Sequence, residues 1–75
     1  MNAKVNELTA PIFWKAVKKR QENGERYGQA VFNITAGLFP EEAGSLVATE
    51  LDPFYNDGVV KLFIAAITDM LDSEA

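Results

Sequence analysis

The chain has 75 residues, 48% of them hydrophobic, with five Phe, two Tyr and one Trp, which is enough for one small core near the lower size limit for a fold without staples. It has no cysteine and no histidine, which removes disulfides, thiol nucleophiles, the usual zinc sites and the Ser-His and Cys-His catalytic systems. The net charge of −4 is split unevenly: residues 1–30 carry six basic and three acidic groups (+3), and residues 31–75 carry one basic and eight acidic groups (−7), a polarity that can orient a charged partner.

Apolar residues recur at spacings of three and four throughout, and no stretch alternates with period two, so the expected fold is all-α. No repeat or long linker divides the chain. The expectation is a single domain over residues 1–75, built of about four short helices packed orthogonally, with residues 1–9 flexible and 72–75 a frayed tail.

The first helix is expected to start after Thr9 as cap, with Pro11 in its first turn, and to end near Glu22 or Asn23 with Gly24 in the left-handed position beyond it. Ile12, Phe13, Ala16 and Val17 form its inner arc, and Lys15, Lys18 and Lys19 stand opposite. Trp14 falls at the edge of that arc, where it either closes the core or anchors a partner.

The second helix, from Glu25 or Arg26 to Leu38, carries apolar residues over more than half its circumference and is expected at the centre. Gly28 and Gly37 within it suggest a neighbouring backbone close by. A third helix opens at Pro40, with Glu41 and Glu42 in its first turn and Ala43, Leu46, Val47 and Leu51 inward, and must stop before Pro53. A fourth runs from Asn56 or Asp57 to about Leu71. Between them lies the turn-rich segment "DPFYND", whose two rings are expected to divide the work, Phe54 plugging the core and Tyr55 at the surface.

The longest apolar run, residues 59–67, contains Lys61 and is far short of the roughly 20 residues that span a bilayer. The first residues include Glu7 and lack a continuous apolar segment, so no secretory signal is expected. A cytoplasmic location is the default.

Sites for chemistry fail one by one. The "DPFYNDG" loop departs from a calcium loop because Phe54 replaces a ligand, the glycine comes one residue late, and Phe63 stands where the closing Glu belongs. Glu41 with Glu42 suits a helix start, and Asp52 with Asp57 flanks a turn, so neither pair reads as catalytic. No glycine pattern matches a phosphate loop. Enzymatic activity, cofactors and metals are therefore not expected. Lys15, Lys18, Lys19, Arg20 and Arg26 could meet a few phosphates, but a pI of about 4.6 opposes nucleic-acid binding.

The segments "RYGQAVFN" (residues 26–33) and "ELDPFYND" (residues 50–57), together with Phe13-Trp14, resemble those of very small helical proteins encoded by tailed bacteriophages and prophages. That resemblance implies an origin more than an activity. The expected function is a non-enzymatic phage-type accessory protein, a monomer or weak homo-oligomer, that binds and modulates or inhibits a host or phage protein. Its expected contacts are Trp14, Lys15, Lys18, Lys19, Asp52, Tyr55 and Asp57. A nucleic-acid-associated regulator using the basic first helix and a structural homo-oligomer are the alternatives. Arg26 and Gln29 are expected to bond to the DPFYND loop, which would tie the two motifs together.

Overall fold

Phe13, Val17, Val31, Phe63, Ile67 and Leu71 stand on helical faces too far apart in sequence to meet locally, and their burial requires the helices to fold back on one another. In the computed structural model, which describes residues 3–74, all six are buried in one core with Leu8, Ala30, Phe39, Ala43, Leu46 and Val60. Five α-helices build it: α1 (Ala3–Thr9), α2 (Pro11–Glu22), α3 (Tyr27–Leu38), α4 (Pro40–Gly44) and α5 (Val60–Glu74). Two 3-10 turns, Pro53–Tyr55 and Asp57–Val59, precede α5, and the described residues contain no strand. None of the helices is long and apolar enough to cross a membrane.

Helix α3 occupies the centre, packing against α2, α4 and both 3-10 turns, while α5 packs on α1 and α4. Its one fully buried polar side chain, Thr35, donates its hydroxyl proton to the Val31 carbonyl at 2.8 Å and so brings no unsatisfied group into the core.

Helix α1 is the element that the sequence pattern does not announce. Seven residues make a marginal helix alone, and only Val5 and Leu8 give it an apolar side. Leu8 is buried, and the Trp14 indole N–H donates to the Leu8 carbonyl at 3.0 Å, satisfying one of the acceptors that a helix end leaves free. Thr9 therefore belongs to α1, its hydroxyl donating to the Asn6 carbonyl at 3.2 Å. Extended Ala10 starts α2 in its place, with Pro11 in the first turn as expected. Gly24 takes the left-handed conformation after α2, at φ 102°. At the other end, α5 continues through Ser73 to Glu74.

The expected third helix stops early, at Gly44. Local side chains compete with the backbone beyond it: Ser45 donates to the Glu42 carbonyl at 2.7 Å, Thr49 donates to the Leu46 carbonyl at 2.7 Å, and Asp52 Oδ2 accepts the Ala48 amide at 2.7 Å. Ala48 is thereby held at a positive φ of 62°. The inward stripe breaks with the helix, leaving Ala43 and Leu46 buried but Val47 52% exposed.

At the start of α3 two backbone segments approach closely. The Gly28 amide donates to Asp57 Oδ1 at 2.7 Å, and a Cβ placed on Gly28 would stand 2.1 Å from the Pro53 carbonyl oxygen. Gly37 differs from that expectation, since a Cβ there would meet nothing within 4 Å. Gly28→Ala is expected to destabilise the fold by about 2 kcal/mol or more through overpacking, lowering Tm by about 8–16 °C in a domain of this size. Gly37→Ala, in open space, should raise stability by about 0.5–1 kcal/mol. Thermal melts of the two variants check both signs.

Candidate functional site

The DPFYND loop is organised by its own carboxylates. Asp52 Oδ1 accepts the Phe54 amide at 2.9 Å while its other oxygen holds Ala48, and Pro53 fits the first position of the turn. Asn56 Oδ1 accepts the Gly58 amide at 2.9 Å and caps the second turn, leaving Asp57 to reach across to Gly28. Asp52 and Asp57, both expected at a partner surface, thus spend carboxylate oxygens inside the fold.

Arg26, just before α3, donates from its guanidinium to the Phe54 carbonyl and lies 6.0 Å from the centre of the Tyr55 ring. This joins the RYGQAVFN segment to the loop, although among the described residues the Gln29 side chain makes no hydrogen bond to it. The core plug of the loop is Pro53, which is fully buried; Phe54 is only half-buried, contrary to expectation. The rings instead form a ladder, with Tyr55 4.8 Å from Phe54, Phe54 6.0 Å from Phe32, and Phe32 5.7 Å from buried Phe63. At its outer end Tyr55 is 81% exposed, beside a shallow groove shared with Val47 and Phe32.

Trp14 lies elsewhere. It is half-buried, packs edge-on against Phe13 at 4.8 Å, and lines a second shallow groove with Tyr27, Val60, Lys61 and Ile64. Lys15, Lys18 and Lys19 are exposed along α2, and none forms an ion pair among the described residues. The expected contacts therefore fall on three separate patches: the loop, the Trp14 groove and the basic ridge of α2.

A predominantly apolar groove was not among those expectations. A groove of about 370 Å³ runs between α2 and α3, lined by Ala10, Ile12, Phe13, Ala16, Ile34, Gly37 and Leu38, with Glu7, Arg20 and Asn33 at its margins. Ile12, placed by helical spacing on the inner arc of α2, is 77% exposed here, and Leu38 is 43% exposed. At one end Glu25 ties the two walls together. Its Oε2 accepts from Arg20 of α2 at 2.8 Å and its Oε1 accepts from Asn33 of α3 at 2.9 Å. The Asn33 bond, with help from Arg20 and against a smaller effect of burial, holds the Glu25 carboxyl below its ordinary range.

The start of α4 meets the end of α5, with a Glu42–Glu74 hydrogen bond as the leading influence on both carboxyls. That bond raises the Glu74 pKa, aided by burial and by the Glu42 charge, and lowers that of Glu42, with Lys4 drawing both downward. Among the described residues, no group of three or more acids is arranged to hold a metal ion.

No protein-family profile matches the chain, and no curated protein or solved structure of significant similarity was found.

The acidic pair fixes a sign for pH dependence. Glu74 has a raised folded-state pKa, so its contribution to stability is present below the ordinary carboxyl value of 4.5 and is lost as pH rises through the raised one. Glu42, lowered, contributes in the opposite sense, above its ordinary value. Glu74→Gln keeps an uncharged hydrogen-bond donor at every pH, so it should melt above the parent at pH 7 and converge with it as pH falls toward 4.5. Melting curves at both pH values test this, and a constant difference between the proteins would contradict it.

Proposed function

We propose that this protein is a non-enzymatic binding module, a small phage-type accessory protein that docks on a host or phage protein and modulates or inhibits it. The phage origin draws on the resemblance of the residue 26–33 and 50–57 segments. The binding role draws on the structure of the α2/α3 groove. One observation carries it: Ile12 stands 77% exposed in a predominantly apolar groove of a domain small enough to need its large aliphatic side chains inside. Full burial of such a side chain is worth about 1.5–3 kcal/mol, which the fold forgoes and a partner can recover. The other half-exposed rings fit the same role less well, since Trp14 spends its N–H on Leu8 and Phe54 is stacked between two rings of its own chain.

The test is capture by the tagged protein from lysates of infected and uninfected bacteria, with an Ile12→Glu variant alongside. Ile12 is exposed, so the variant should melt within about 0.5 kcal/mol of the parent. The expected result is a stoichiometric protein partner whose recovery falls at least tenfold with the variant. A partner captured equally by both proteins, or none captured by either, would overturn the reading.

A further inference from the structure

We propose that the occupant of the α2/α3 groove is an amphipathic α-helix of a partner protein with an acidic flank, lying so that its acids face Lys15 and Lys19. The proposal rests on the protein-binding reading above and specifies what the partner presents.

The walls decide between helix and strand. Both are α-helices whose backbone groups are already bonded internally, so the groove has no free edge to pair with the N–H and C=O groups of an extended segment. A helix arrives with its own backbone satisfied and needs only apolar contacts. The walls offer these at matching intervals: Ile12 and Ala16 on α2, and Ile34 and Leu38 on α3, are each four residues apart, about 6 Å along a helix axis and close to one turn of a bound helix. Ala10, Ala16 and Gly37 have little or no side chain, which lets a third helix approach closely between the larger residues.

Charge decides the partner's flank. Lys15 and Lys19 lie three and seven residues beyond Ile12, on the outer side of the same helical ridge, and both are exposed without an ion pair among the described residues. Arg20 is already matched by Glu25, whose second oxygen is taken by Asn33. The remaining acids nearby are Glu22, on the outward face of α2, and Glu7, at the end of the groove nearer Ile12, where Glu41, Glu42 and Glu74 lie beside the same Glu7 and Leu38. The ridge beside the groove is thus cationic toward the end of α2 and anionic near Glu7. A helix with Glu or Asp along the flank that meets Lys15 and Lys19, and none beside Glu7, complements both.

A second copy of the chain fits less well. Its exposed acidic helix face, on α5, offers Leu62 with Asp69 and Asp72, but its other large apolar residues Phe63, Ile67 and Leu71 are buried at home. Duplex nucleic acid would meet the lysines yet present nothing apolar to Ile12 and Leu38.

The experiment is selection from a displayed library of helical peptides of about 16 residues, roughly 24 Å long, with Leu fixed at one apolar stripe and the flanks randomised among Glu, Lys, Gln and Ser. Three baits are used: the parent, Ile12→Glu, and the double variant Lys15→Glu with Lys19→Glu. The expected result is at least fivefold enrichment of Glu over Lys on one flank with the parent, reversal with the double variant, and no recovery with Ile12→Glu. Equal recovery of Glu and Lys flanks would overturn the acidic helix while leaving the protein-binding reading, which falls only if lysate capture ignores Ile12 or yields no partner. Failure to recover any helix would overturn the proposal outright. So would an Ile12-dependent dimer in sedimentation, or a labelled duplex that displaces the selected peptide.

Discussion

The fold turns on one meeting of backbones, where the start of α3 seats against the DPFYND loop. Gly28 approaches the Pro53 carbonyl so closely that no side chain fits between them, and its amide, one of those a helix start leaves without an internal partner, is received by Asp57. Arg26 closes the same junction from outside by bonding to the Phe54 carbonyl. Because α3 is the central helix, this junction sets where α2 lies on one side and where α5 begins on the other. The groove between α2 and α3 and the outward aim of Tyr55 both inherit their positions from it.

Two consequences for the surface follow. The loop, rich in acids and aromatic rings, spends most of its polar groups on itself and on α3, which leaves Tyr55 as its main outward feature. The α2/α3 side has the opposite character: its polar groups pair at one end through Glu25, and the middle is left apolar and open. A domain this small keeps Ile12 outside at a real loss of burial, the loss that the proposed partner helix would recover.

Much of the fold was legible because its signals are local. Pro11, Gly24, Pro40 and Pro53 punctuate the chain where the structure turns. The broad apolar arc read for the last helix (Val59, Val60, Leu62, Phe63, Ile64, Ala66, Ile67, Met70 and Leu71) includes all four buried residues of α5, Val60, Phe63, Ile67 and Leu71, although Leu62 is 59% exposed. What was not legible depends on distant neighbours. Helix α1 has only Val5 and Leu8 to mark it, and its end is completed by Trp14, which no short window connects to it. The third helix does not resume after Gly44 because Asp52, four residues beyond Ala48, draws the Ala48 amide out of helical geometry. Ile12 shares the helical arc of Phe13, yet the buried aliphatic from this end of the chain is Leu8, brought in by the unread α1. Of the expected contacts, the lysines and Tyr55 were readable as exposed, while the structural duties of Asp52, Asp57 and Trp14 required the partners on other elements. Gly28 and Gly37 look alike in sequence, and only the packing of the loop distinguishes them.

The most direct measurement of the central junction is native-state hydrogen exchange at the Gly28 amide. It lies in the first turn of α3, where an N–H without a partner exchanges with water at close to its free rate. If Asp57 holds it as described and the Pro53 backbone closes over it, Gly28 should exchange only by global unfolding, with a protection free energy matching that of Phe63 in the core of α5. Exchange at Gly28 as fast as in an open loop, with Phe63 still protected, would show that the loop is not what seats α3.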